Sequence, residues 1–301
     1  MPEHKHTHSH DAKNYSAAKL LMVILLNAII TIVEIIGGII SGSLALLSDS
    51  LHNFSDTVSI VLSYFALKIS HKNKSIKKTY GYKRAEVLVA FVNSSVLMAL
   101  SFFLIFEAYK RFKNPQHIET GLMIFVAAVG LIANFISVFL LKKDSKESMN
   151  IKSSYLHLLS DTISSVGVIL GGLAMMFFNV KWIDPLITFL ISVYIIKETW
   201  TIIKQSVDIL MQSSADLDYD DIKLKIENIE GVKNIHHVHT WMSNENTLYF
   251  EAHIEIDDML ISKADKIVET IEHLLKEDFK VSHTTIQIET NVCTDKSLFK
   301  S

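Results

Sequence analysis

The sequence predicts an α-helical membrane protein of six transmembrane helices followed by a small soluble α+β domain with the element order α-β-β-α-β. Three observations predict it. Of the 301 residues, 49% are hydrophobic and only 3 are Pro. Apolar runs of the roughly 20 residues that cross about 30 Å of hydrocarbon as a helix recur before position 210 and not after it. From about Met211 onward, charged and apolar residues alternate at short range, as they do in a soluble domain.

The six runs lie near Ala17–Ile40, Leu46–Ile69, Ala85–Ala108, Gly121–Leu141, Ser154–Phe178 and Ile183–Ile203. The first is too long for the apolar region of a cleaved signal peptide and follows a His-rich rather than a simply basic segment, so it is expected to remain in the membrane. Lys68, Lys72, Lys74, Lys77, Lys78, Lys83 and Arg84 collect after the second span, and Lys142, Lys143, Lys146 and Lys152 after the fourth. The connections after the first and fifth spans carry almost no charge. Basic connections stay in the cytoplasm, which predicts a multi-pass protein of the cell membrane with both termini cytoplasmic. Lys110, Arg111 and Lys113, after the third span, run against that trend. The net charge of −3 is uninformative, and nothing in the charge pattern points to nucleic acid.

The soluble domain divides into a helix at Tyr219–Asn228, strands at Val232–Met242 and Leu248–Ile256, a helix at Ser262–Lys276 and a strand at Val281–Glu289. Ile222, Ile226 and Ile229, and then Ala264, Ile267, Val268, Ile271, Leu274 and Leu275, recur at helical spacing. Asn244-Glu-Asn246 reads as a hairpin turn. This order predicts an open sheet with two helices on one face. The expected boundaries are a His-rich tail over 1–14, a membrane domain over 15–209, the soluble domain over 210–292 and a C-terminal tail over 293–301. The single Cys293 excludes an internal disulfide.

The chemistry concentrates in two spans. The second contains His52 and Asp56, and the fifth contains His157 and Asp161, each pair spaced His-x-x-x-Asp. Residues four apart on a helix are separated by about 40° around the axis and one turn along it, so each pair faces one direction. Two such helices packed together bring two imidazoles and two carboxylates to one point, a tetrahedral donor set that suits zinc. A carboxylate deep in a span costs roughly 2.5–3.5 kcal/mol even on lenient insertion scales and so marks an ion or proton path. Ligation requires neutral His and ionised Asp, so metal and protons compete for the same atoms, and a proton gradient is expected to drive the metal out. Asp49, one turn before His52, is expected to be an outer partner or relay. Glu34, Asn27, Asn93 and Asn134 are read as path-lining groups or as hydrogen-bonding links between helices. At the N-terminus His4, His6, His8 and His10 alternate; the tract reads either as a weak, unselective metal trap or as a tail without a role.

These motifs, in their order, resemble the cation diffusion facilitator family of proton-coupled metal exporters, and the bacterial zinc exporters in particular. The likeness rests on Ser43-Leu-Ala-Leu-Leu-Ser-Asp-Ser-Leu-His-Asn-Phe-Ser-Asp56, Tyr80-Gly-Tyr-Lys-Arg-Ala-Glu-Val-Leu88, His157-Leu-Leu-Ser-Asp161, Asp184-Pro185, and His239-Thr-Trp241 with Thr285-Ile-Gln-Ile-Glu289. It implies a homodimer with cytoplasmic ferredoxin-like tail domains, alternating access at the membrane site, and zinc as substrate and regulatory ligand, with cadmium or cobalt as further substrates and no prosthetic group. It also implies metal in the tail domain, at His236, His253, His283 and Glu289; the same residues also read as exposed or hydrogen-bonded histidines. The loop between the second and third spans offers His71 among lysines, so the additional loop site of some members is not expected here. Lys142–Lys152 lacks the His-rich loop of many eukaryotic members. Two other functions fit parts of the sequence. A membrane-anchored metal sensor leaves the His-Asp pairs inside apolar helices unexplained. A metal-dependent membrane enzyme lacks His-Glu-x-x-His, Gly-x-Ser-x-Gly and any Cys within the spans.

Overall fold

A computed structural model describes residues 9–142, 149–293 and 296–299. The His tract up to His8 and the basic residues Lys143 and Lys146 lie outside the described residues. Six long helices come first: α1 (Ser9–Ser41), α2 (Leu44–Ser70), α3 (Arg84–Lys113), α4 (Thr120–Leu141), α5 (Met149–Phe178) and α6 (Ile183–Leu210). Then come α7 (Tyr219–Glu227), β1 (Val232–Asn244), β2 (Thr247–Ile256), α8 (Ile261–Phe279) and β3 (His283–Glu289), in the expected order. The described residues up to Tyr64, with Val92–Ile203, form one compact unit; Phe65–Phe91 and the chain from Lys204 form a second.

Five of the long helices hold apolar stretches sufficient to cross a membrane: Met22–Ser41, Ala85–Lys113, Thr120–Leu141, Tyr155–Phe178 and Ile183–Leu210. The sixth span is α2, whose 27 residues reach about 40 Å at 1.5 Å per residue. Ser48, Asp49, Ser50, His52, Asn53, Ser55 and Asp56 dilute its hydropathy. The burial pattern is inverted relative to a soluble bundle. Ser48, Ser94, Ser101, Ser137, Ser165 and Ser192 are buried, whereas Phe103, Phe125, Phe135 and Phe139 point outward. Apolar surface of this extent suits lipid or a partner subunit rather than water. Inside the first unit α4 packs along α1 and α5. A Cβ at Gly130 of α4 would collide with the Glu34 carboxylate of α1, so the glycine there makes room for a buried acid.

The start of α2 is held by a residue from α6. Asp184, fully buried in the first turn of α6, accepts hydrogen bonds from Ser43 Oγ, from Leu44 N at 3.0 Å and from Ala45 N at 3.2 Å. Free backbone N–H groups at a helix start are thereby satisfied by a carboxylate, as by an N-cap side chain, but from another helix. Arg111, which runs against the charge trend, is used structurally. Its guanidinium donates to the Gly42 carbonyl in the turn between α1 and α2, where Gly42 adopts φ +73°.

The second unit contains a three-stranded sheet of order β1-β2-β3. β1 and β2 form a hairpin closed by Glu245-Asn246, with Asn244 opposite Thr247. β2 and β3 are parallel and joined through α8, as a parallel pair requires. Ile222 and Ile226 of α7 and Ala264, Ile271 and Leu275 of α8 share one core with Ile235, Val238, Phe250, Ala252 and Ile254 of the sheet, so both helices cover the same face. The C-terminal segment is attached to this unit: Val238 N donates to Leu298 O at 2.8 Å, and Lys296 pairs with Glu255 at 2.7 Å.

Candidate functional site

The two His-x-x-x-Asp pairs converge. His157 Nε2 lies 3.1 Å from Asp56 Oδ2 and 3.5 Å from Asp161 Oδ2, and His52 Nε2 lies 3.6 Å from the same Asp56 oxygen. The two imidazoles meet edge-on with centroids 5.8 Å apart. Donor atoms of His52, His157 and Asp161 all fall within 4.8 Å of one another. Zinc bonds of about 2.0–2.1 Å in a tetrahedron put neighbouring donors roughly 3.3–3.4 Å apart, close to these separations. His52 Nδ1, Asp56 Oδ2, His157 Nε2 and Asp161 Oδ2 are all shielded from solvent without meeting hydrogen-bond geometry. Unpaired buried polar atoms are costly. A divalent cation would pair with the buried oxygen of Asp161 and with His157 Nε2, while His52 offers one ring nitrogen to the same cluster and Asp56 adjoins both imidazoles.

The surroundings orient these ligands from behind. Asp49, one turn before His52, accepts from Ser164 Oγ and, at 3.5 Å, from Ser165 Oγ of α5, so α2 and α5 are tied together beside the site. Glu34 is buried and accepts from Asn53 Nδ2 at 3.2 Å. Asn93 Nδ2 donates to Ser55 Oγ at 3.0 Å and also to Ser59 Oγ, linking α3 to α2. Glu34 and Asn93 thus act as links between helices. Asn27 and Asn134 are buried, with Asn27 Oδ1 and Asn134 Nδ2 lacking hydrogen-bond partners. Tyr194 of α6 stacks edge-on against His52, with centroids 6.4 Å apart, a neighbour that spacing in the sequence does not reveal.

A second cluster occupies the sheet. His236 of β1 stands opposite His253 of β2 in the ladder. Glu289 Oε2 lies 3.4 Å from His236 Nε2, and Oε1 lies 2.7 Å from His253 Nδ1. Burial disfavours the Glu289 carboxylate, but hydrogen bonds from Cys293 and Gln287 and the adjacent His253 and His236 outweigh it and hold its pKa below the usual 4.5.

The expected set is corrected in two ways. The parallel register places His283 opposite Tyr249, four residues before His253 in β2, which is roughly 13 Å away along a strand. His283 therefore packs against Tyr249, with ring centroids 5.7 Å apart, and does not join the other three. In its stead His237 and Cys293 enter: one donor atom each from His236, His237, His253 and Cys293 lie within 4.8 Å of one another. Strict alternation would send adjacent residues 236 and 237 to opposite faces. His237 adopts φ +50° at a bulge between the His236 and His239 pairs, and this turn brings its ring to 5.0 Å from both His236 and His253. Sequence alternation could not find it. Cys293 lies four residues past Glu289, the last residue of β3.

Residues 20–211 match the family model described as cation efflux transmembrane domain, and residues 215–291 match the cation efflux protein, cytoplasmic domain. A cadmium, cobalt and zinc/H(+)-K(+) antiporter of Bacillus subtilis is 35% identical over 94% of this chain and 92% of its own length. The zinc transporter ZitB of Escherichia coli is 33% identical over 96% of this chain and 93% of its own. The metal cation efflux system protein CzcD of Cupriavidus metallidurans is 32% identical over 95% of this chain and 90% of its own. Two domain models that together span nearly all of the chain, and relatives above 30% identity along its length, show that it belongs to the cation diffusion facilitator family of metal-cation efflux transporters, and that it is not an enzyme.

Proposed function

We propose that this chain exports zinc from the cytoplasm in exchange for protons, with cadmium and cobalt as further substrates, by alternating access at His52, Asp56, His157 and Asp161. One observation carries the reading: donor atoms of His52, His157 and Asp161 gather within 4.8 Å of one another on two membrane helices, with Asp56 reaching both imidazoles at 3.1 and 3.6 Å. The relatives named for zinc, cadmium and cobalt transport support the choice of metals. Proton exchange follows from the donor chemistry. When the metal leaves, the lone pairs of the His and Asp ligands are free for protons, and rebinding on the cytoplasmic side must expel those protons. Asp49 holds α5 against α2 while this happens and accepts no metal itself. The functional unit is a homodimer in the bilayer, with both termini and the sheet domain in the cytoplasm. There His236, His237, His253 and Cys293, with Glu289 orienting His253, form a second, regulatory metal site.

The test is uptake of zinc into sealed vesicles that hold purified protein and a zinc-sensitive dye, under an imposed pH difference. Asp161→Ala should abolish uptake, and His253→Ala should weaken it or change its dependence on zinc concentration. Undiminished transport by Asp161→Ala would refute the membrane site. Flux indifferent to the pH difference would refute the exchange and leave the site standing.

A further inference from the structure

Two features singled out in the sequence have no part in either metal site: the Tyr80–Leu88 motif after the second span, and His283. They meet in the second unit. The connection from α2 to α3 is folded tightly, with Ser75 and Lys78 exchanging backbone hydrogen bonds of 2.9 and 3.2 Å and Gly81 at φ +83° donating to Lys78 O. It leaves a cavity of about 420 Å³ against the sheet. Lys74, Tyr80 and Lys83 line one side, and Thr247, Ser282 and His283 the other. Lys83 Nζ donates to Thr247 Oγ1 at 3.2 Å, and Tyr80 stacks edge-on against Tyr249 at 5.3 Å, which fixes the walls.

The lining is one-signed. It includes two ammonium groups, an imidazole and several hydroxyls, and no acidic residue. Among the described residues neither Lys74 nor Lys83 has a carboxylate within 4.0 Å. A concave site with cationic and hydroxyl donors and no acceptor of opposite charge is built for an oxyanion. Its position narrows the choice. Lys83 lies two residues before the apolar stretch that begins at Ala85, and basic residues flanking a span are the ones that meet phospholipid phosphates.

We propose that this cavity binds a phosphate group, supplied either by an anionic phospholipid headgroup in the adjoining leaflet or by free phosphate. Tyr80 and Tyr249 flank the bound group, Lys74 and Lys83 neutralise it, and the hydroxyl of Thr247, which accepts from Lys83, donates to its oxygens. A bound lipid would fasten the sheet to the loop that follows the second span.

The experiment uses native mass spectrometry of the full-length protein in detergent, titrated separately with phosphatidylglycerol, phosphatidylcholine and inorganic phosphate. The wild type is compared with Lys74→Gln/Lys83→Gln and with Lys72→Gln/Lys77→Gln, which removes equal charge from the same connection outside the cavity. Each cavity lysine is expected to contribute about fivefold, so the first variant should bind the phosphate-bearing ligand about 25-fold more weakly, while the second stays within about threefold of wild type. Retention of phosphatidylglycerol that millimolar phosphate does not displace identifies the lipid as the source; saturation by phosphate alone identifies the free ion. Equal losses in both variants, equal binding of phosphatidylcholine, or no binding of either phosphate source would overturn the proposal.

Discussion

Replacing Asp184 with alanine removes the side chain by which α6 anchors the start of α2. Its carboxylate is completely buried and accepts from Ser43 Oγ, Leu44 N and Ala45 N. A hydrogen bond to a charged acceptor contributes about 1.5–3 kcal/mol, and a buried donor left without a partner costs about 1–3 kcal/mol. The three contacts share one group and cannot be summed, and relief from burying a charge offsets part of the loss. A net cost of about 3–4 kcal/mol results, above the ~0.5–2 kcal/mol of an ordinary cap replacement. At about 1.6 °C per kcal/mol for a chain of 301 residues, the melting temperature should fall by about 5–6 °C. Asp184→Asn keeps one acceptor oxygen and should lose about half as much. His52 lies about 12 Å farther along the same helix at 1.5 Å per residue, so transport should fall in the same order, Ala below Asn. Thermal unfolding of the full-length protein in detergent, followed by tryptophan fluorescence, reads the first effect, and the vesicle uptake assay the second. A melting point for Asp184→Ala within about 2 °C of wild type, with normal uptake, would show that α2 does not depend on α6 for its start.

Further predictions concern both units. Gly130→Ala places a Cβ where the Glu34 carboxylate sits, so Glu34 must leave Asn53; a loss of about 1–3 kcal/mol is expected in the same melting assay. Cobalt added to full-length Asp161→Ala protein should show a sulfur-to-metal charge-transfer band in the near ultraviolet, and Cys293→Ser should abolish it without preventing cobalt binding; an unchanged band excludes the thiolate. Because the folded-state pKa of Glu289 is held below its ordinary 4.5, the ionised group stabilises the fold above that value and the contribution disappears as pH falls through the folded value. Glu289→Gln should therefore flatten the acid limb of the stability–pH profile, measured by circular dichroism in chelator; an unchanged limb would refute this.

The long helices were legible because apolar runs of span length admit few alternatives, and the observed limits of α4 and α6 begin within a residue of those expected. The membrane pairs were legible for a geometric reason: His52 and Asp56, like His157 and Asp161, lie within single helices, where spacing alone fixes their common direction. What joins elements distant in the chain was not. Asp184 was visible as a motif, but its anchoring role depends on α6 meeting the start of α2 some 140 positions earlier. His283 was misplaced because the register of a parallel pair is set through the length and docking of α8, not by alternation within β3. His237 escaped because a positive φ at a non-glycine residue leaves no sign in the pattern of polar and apolar residues. The resemblance supplied family membership, which the residues alone could only suggest.

The bulge at His237 has a consequence beyond the cluster it gathers. β1 is an outer strand of its sheet, and an unpaired row of backbone groups on such a strand invites another chain to add itself there. At the bulge His237 N and Val238 N are instead turned toward Ser297 O and Leu298 O, so residues 297 and 298 occupy the place an intruding strand would take there. Loss of the segment that holds Ser297 and Leu298 would uncover that edge, and a chain without it should self-associate through β1 even where its membrane helices and transport site are intact.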